Sequence, residues 1–252
     1  MKAICFLLVL LLQITPLIFG LDIKNCYIKD QAKHESNQKL LTTILQLELA
    51  GSSGTVVDQA NYLRGRITWI ANAMVKNGFS DEAYGVPEID QNSIVAFNCF
   101  ALWEGDKNDF IPLTFFVYIW PSEEFALQYN SSDPANSLYA SNIHSHPIPC
   151  AFTVLQGTLF QNNYERISTD STDKTIRFID DEIFQEGEGD VDDLKKPFIH
   201  KLYNRGSSKI CISLHTYGLS SEEKVMDCFQ KTFSTCSYDD ISIEPLQTRV
   251  LQ

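Results

Sequence analysis

Residues 141–160 read SNIHSHPIPCAFTVLQGTLF. The stretch sets a His-x-His pair, His144 and His146, ahead of Cys150 and a run of apolar and β-branched residues. In a strand, successive side chains point to opposite faces, so positions i and i+2 share a face about 7 Å apart. Two imidazoles placed this way can converge on one metal ion. The run that follows reads as two strands, 151–155 and 158–163, joined by a turn at Leu155-Gln156-Gly157-Thr158-Leu159.

The same texture extends on both sides. Segments 93–102, 112–120, 140–146, 174–178, 198–203 and 209–217 are rich in β-branched and aromatic residues and bounded by turn signals. Ahead of them lie two helical patterns. Leu40, Leu41, Ile44, Leu45 and Leu47 form an apolar stripe over 38–49. Leu63, Ile67, Ile70 and Met74 form another over 56–76, closed by Asn77-Gly78. Segment 121–139 is polar and reads as a loop. Segment 180–193 is dense in Asp and Glu with two Gly; it lacks EF-hand spacing and reads as a solvated loop. The fold class is mainly β, a barrel or sandwich preceded by a small helical segment. One domain is expected over 21–252: helical part 38–78, barrel 93–220, tail 221–252.

Residues 1–20 read MKAICFLLVLLLQITPLIFG. A Lys, a short apolar run and a small residue at Gly20 make a secretory signal peptide. Gln13, Thr15 and Pro16 interrupt the run before it is long enough to span a bilayer. A secreted or extracytoplasmic protein without stable membrane insertion is expected. Of seven Cys, Cys5 falls in this segment, leaving Cys26, Cys99, Cys150, Cys211, Cys228 and Cys236. Export implies disulfides among some of them, with the pairing left open. Asn130-Ser131-Ser132 is a glycosylation sequon. The formal net charge is -12, and no basic stripe occurs. Nucleic acid is thereby excluded as a partner, since its recognition runs on basic surface.

The chain has five His. His34 sits in a polar stretch and is expected at the surface. His200, in Phe198-Ile199-His200-Lys201-Leu202, lies on a β-patterned segment and can supply a third imidazole from an opposing strand. In Ser213-Leu214-His215-Thr216-Tyr217, the residues Ser213, His215 and Tyr217 alternate along one strand face. A row of hydroxyl, imidazole and phenol facing a barrel interior is costly unless hydrogen-bonded, so it reads as part of a site.

Taken together, these motifs resemble the cysteine dioxygenase family, thiol dioxygenases of the cupin fold. The resemblance rests on the His-x-His pair, the Cys shortly after it and the Leu-x-Gly-x-Leu turn. It rests also on a further His followed fifteen residues later by the His of a Ser-x-His-x-Tyr strand. It covers about residues 38–220. It implies a cupin jelly-roll barrel and Fe(II) held by His144, His146 and His200. It implies that Cys150 matches the Cys that in some members forms a thioether with the active-site Tyr, here Tyr217. Ser213 and His215 match the relay that orients that Tyr, and Trp120 matches a Trp on the strand before the His-x-His. The implied reaction is oxidation of a small thiol, cysteine or a relative, by O2 to a sulfinate, in a chain acting as a monomer. The same residues also admit a cupin that binds without chemistry, or a three-His metalloenzyme of other chemistry such as zinc activating water.

Two departures bear on the substrate. The family's cysteine-specific members bind the substrate carboxylate with an Arg. That position falls near Phe97, and no Arg lies between Arg66 and Arg166. A thiol without a carboxylate, or a peptide Cys, suits an apolar residue better; Arg64 or Arg66 is the alternative cation. Cys150 also follows His146 by four residues where the family usually has five.

Overall fold

The computed structural model describes residues 27–86, 97–108, 111–125, 140–167, 175–191, 199–205 and 209–228. The signal segment, the sequon at Asn130, Cys26 and Cys236 lie outside the described residues.

Helix α1, Gln31–Ala50, is capped by Asp30, whose side chain accepts from the Lys33 N–H. It begins earlier than its apolar stripe suggests. The second stripe is two helices rather than one: α2, Val56–Gly65, and α3, Ile67–Lys76. The break falls at Gly65-Arg66, where Gly costs a helix least to interrupt. It turns Ile67, Ile70, Ala71 and Met74 onto the sheet, where all four are buried. At the start of α2, Thr55 accepts from the Asp58 N–H while the Asp58 carboxylate accepts from the Thr55 N–H. Thr55→Ala removes one side of this capping box. Its expected cost is about 1 kcal/mol, read as a lowered urea midpoint with an unchanged slope.

Nine antiparallel strands follow among the described residues. They are β1 Asn98–Glu104, β2 Thr114–Trp120, β3 His144–Ser145, β4 Cys150–Gln156, β5 Leu159–Arg166, β6 Ile176–Phe184, β7 Gly189–Val191, β8 Ile199–Tyr203 and β9 Cys211–Tyr217. They form a five-stranded sheet ordered β1-β2-β9-β4-β7 and a four-stranded sheet ordered β3-β8-β5-β6. The β4 to β5 turn is the predicted one, with Gly157 at φ 84°, a left-handed conformation that Gly adopts without a Cβ penalty.

Two cores result. Phe115, Val117, Ile119 and Leu214 face the helices and pack with Leu41, Ile70 and Met74. Phe116, Tyr118, Trp120 and Tyr217 face the other way and pack with Leu159 and Leu202 of the second sheet. The five-stranded sheet is thus covered on both faces, and β2 and β9 are buried at every position. This is the mainly β fold with leading helices that the sequence predicts.

Two further expectations are corrected. His34 is buried, 5% exposed, with Nδ1 3.1 Å from the Tyr84 hydroxyl and its ring against Phe100. It pins α1 to β1. The acidic run is not a loop: β6 and β7 pass through it. β6 is an edge strand exposed over most of its length, where charged side chains protect an open edge. The tail is helical over 222–228, and it seats Val225 and Met226 on the inner core.

Candidate metal centre

His144 lies on β3 and is paired in register with His200 on β8. His146 follows β3 directly. The three rings form a near-equilateral triangle, with centroids 4.8, 4.7 and 5.0 Å apart. One nitrogen from each lies within 4.8 Å of the others; His200 is buried and the other two are half-buried. The Nε2 atoms of His144 and His146 are 3.1 Å apart. Two imidazole nitrogens bonded at about 2.1 Å to one ion stand at about this separation.

Each ring is held from behind through its Nδ1. That of His144 is 2.8 Å from the Asn142 carbonyl. That of His200 is 3.0 Å from Gln161 Oε1, and that of His146 is 2.8 Å from Cys150 Sγ. A carbonyl only accepts, so in the neutral His144 ring the proton is on Nδ1 and Nε2 is a bare donor. Burial first, and the neighbouring His146 second, push His144 down to about 3. Burial likewise pushes His200 well below the ordinary histidine value, with His144 and His146 adding to the effect. His144 and His200 are therefore neutral at physiological pH, as metal ligation requires. Three imidazole nitrogens on one side of a cavity fit a divalent ion.

Behind this triangle runs a second polar row. Trp120 Nε1 donates to Ser213 Oγ at 2.8 Å, and Ser213 Oγ is 2.8 Å from His215 Nε2. Trp120 fills one lone pair of Ser213 Oγ and leaves its proton and a second lone pair to meet His215 Nε2, so the direction of that bond follows the His215 tautomer. The His215 ring packs on Tyr118, centroids 4.2 Å apart. The Tyr217 hydroxyl lies 3.0 Å from that of Tyr118, and the Tyr217 ring lies against His146. Desolvation raises both phenols above their ordinary range, so they remain protonated donors. Cys150 is the cross-strand partner of Tyr217.

The predicted residues come together with one division. His144, His146, His200, Cys150, His215 and Tyr217 line one cavity of about 340 Å³, while Ser213 sits behind it. Phe97, Cys99, Tyr118, Trp120 and Met226 also line it. Phe97 stacks on Trp120 with centroids 4.8 Å apart. No Lys or Arg lines the cavity among the described residues. Arg66 instead pairs with Glu48 and lies over Trp69 on the helical side, and Arg64 does not reach the cavity. Among the described residues, Cys99, Cys150, Cys211 and Cys228 are not joined to one another. Sequence reading missed Tyr118, Gln161 and Met226.

Burial also holds His34 and His215 below the ordinary histidine range. In the unfolded chain both titrate near 6.5. Below that pH the unfolded state binds more protons than the folded state, so stability is full above about 6.5 and falls on acidification. Each group contributes a slope of up to about 1.4 kcal/mol per pH unit below that point. Urea unfolding of the metal-free protein at pH 7.5 and 5.5 checks this, and equal stability at the two values contradicts it.

No protein-family model matches the chain, and no curated protein does. Among solved structures, an oxalate oxidase in complex with the substrate analogue glycolate is similar over 53% of this chain and 56% of its own, at 12% identity and TM-score 0.35. A cupin-superfamily sugar phosphate isomerase from Silicibacter pomeroyi is similar over 50% and 60%, at 11% identity and TM-score 0.33. A DMSP lyase from Ruegeria pomeroyi is similar over 50% and 49%, at 14% identity and TM-score 0.31. The matched part of the chain spans about half the length of these structures.

Proposed function

We propose that this chain is a secreted non-haem iron thiol dioxygenase of cupin type. It would use O2 to oxidise a small thiol that carries no carboxylate. The observation that carries the reading is the joining of a three-imidazole cluster to the Tyr217 phenol in one largely apolar cavity. The reaction balances without a further oxidant: a thiol RSH and O2 give RSO2H, and the electrons lost by sulfur are those gained by oxygen.

Iron(II) held by His144, His146 and His200 would supply adjacent open positions for thiolate and O2, and the redox capacity to join them. The chain's own residues do the rest. Three neutral ligands leave the ion's positive charge intact, which favours a thiolate over a thiol beside it. The paired hydroxyls of Tyr118 and Tyr217 place a fixed hydrogen-bond donor next to the histidines. Ser213 and His215 form a rigid polar floor under Tyr118. Phe97, Trp120 and Met226 make part of the wall apolar, and among the described residues a buried carboxylate there has no Lys or Arg to pair with. That supports cysteamine or a peptide with an N-terminal Cys over free cysteine. The export signal and the acidic composition support action outside the cytoplasm, on small molecules rather than nucleic acid. Among the described residues no helix is long and apolar enough to cross a membrane. A monomer suffices, since all the named residues come from one chain.

The test is oxygen uptake by mature protein loaded anaerobically with Fe(II). Cysteamine, cysteine, 3-mercaptopropionate and a Cys-initiated peptide would be compared. Thiol-dependent uptake, fastest with a carboxylate-free thiol, is expected. Iron-loaded protein that consumes no oxygen with any of them contradicts the reading.

A further inference from the structure

We infer that Gln161 is the positioning residue that fixes the tautomer and aim of His200, and that Glu182 and Asp190 act through it. This rests on the metal-centre reading above, and it gives the acidic run of β6 and β7 a role.

Gln161 is fully buried on β5. Its Oε1 lies 3.0 Å from His200 Nδ1. Its Nε2 lies 2.9 Å from Asn163 Oδ1, 3.1 Å from Glu182 Oε2 and 3.5 Å from Asp190 Oδ2. The two ends of a carboxamide are told apart only by their partners. Carboxylates only accept, so the amide NH2 must face Glu182 and Asp190. The reverse orientation sets Oε1 against two anionic oxygens and leaves the NH2 facing the imidazole.

Asn163 closes the network by the same rule. Its Nδ2 donates to Asp180 Oδ1 and Glu182 Oε2, each at 2.9 Å, which leaves its Oδ1 to accept from Gln161. Strand register holds the set together: Gln161 pairs with Glu182, and Asn163 with Asp180 on one side and His200 on the other.

With Oε1 facing His200, only a proton on Nδ1 completes the bond. Nε2 of His200 is then a bare donor aimed at the cluster with His144 and His146. His200 cannot select this state unaided, because an isolated imidazole exchanges its proton between the two nitrogens. The carboxylates thus act at one remove: they orient an amide, and the amide orients the imidazole. Partners of this kind are worth about 10–100-fold in metal affinity.

The experiment is nitrogen NMR of protein labelled at histidine, metal-free and zinc-loaded, with zinc affinity from chelator competition. The variants are Gln161→Met and the double variant Glu182→Gln/Asp190→Asn. In the wild-type protein His200 is expected as the Nδ1–H tautomer even without metal. Gln161→Met should lose that signature and about 10–100-fold in zinc affinity. The double variant should shift the signature and affinity in the same direction by less. Because Glu182 is exposed and Asp190 half-buried, it carries the test if Gln161→Met does not fold. An Nε2–H His200 in metal-free wild-type protein overturns the inference, as does an unchanged signature and affinity in the folded variants. Wild-type protein that binds no zinc or iron fails the metal-centre reading instead, while the metal-free spectrum still decides the tautomer.

Discussion

His200→Ala abolishes metal binding while the protein stays folded. His200 is the buried member of the triangle and the one that bridges the two halves of the site, standing opposite His144 across β3 and β8. Two imidazoles remain in the variant, both half-buried and open to water. A direct ligand is worth more than the residues behind it, so the expected loss exceeds about 100-fold in affinity. Metal content of the purified variant, set beside chelator competition, measures it. His144→Ala should fall as far and with less effect on stability, since that side chain is half-buried. Metal content near the wild-type level in either variant contradicts the assignment.

Trp120→Ala is expected to be the most destabilising single change near the site. Trp120 is 1% exposed, stacks on Phe97 and Tyr118 at 4.8 and 5.6 Å, and donates to Ser213. Truncating a buried Trp costs about 3–5 kcal/mol, a large part of the roughly 5–15 kcal/mol that holds a domain together. The indole N–H also donates to Ser213 Oγ, so its loss removes a buried hydrogen bond as well. Trp120→Phe keeps most of the packing and should cost less. Urea unfolding with both variants separates the two effects. A loss under about 1 kcal/mol for Trp120→Ala, set against the expected cavity cost, contradicts the packing account.

How much of this was legible in the sequence follows from where each signal sits. His144 and His146 declare themselves by spacing, because a strand places i and i+2 together. The β9 row is legible for the same reason. His200 needed the resemblance, since nothing local marks it beyond a β-patterned neighbourhood. Four strands of the five-stranded sheet, β1, β2, β4 and β9, are legible in the sequence, but the faces of β2 are not: Phe115, Val117 and Ile119 turn to the helices while Phe116, Tyr118 and Trp120 turn inward. Both sets are apolar, so the alternation that would have separated Tyr118 from the core is invisible.

The acidic run was misread because an edge strand with few buried positions has no apolar face to reveal it. Gln161 was passed over because a single Gln in a strand carries no signal until its partners on β6, β7 and β8 are known. His34 was misplaced because its polar neighbours on α1 face water while it faces Tyr84. The break at Gly65-Arg66 is set by packing on the sheet, which a continuous apolar stripe does not report.

The central claim is that the three-imidazole cluster holds an ion that joins both atoms of O2 to a thiol. Turnover of a carboxylate-free thiol under isotopically heavy O2 tests it most directly, using iron-loaded protein and mass spectrometry of the product. The account predicts a sulfinate carrying two heavy oxygen atoms, formed by the wild-type protein and not by His200→Ala. A product with one heavy atom or none, or equal turnover by the variant, contradicts it.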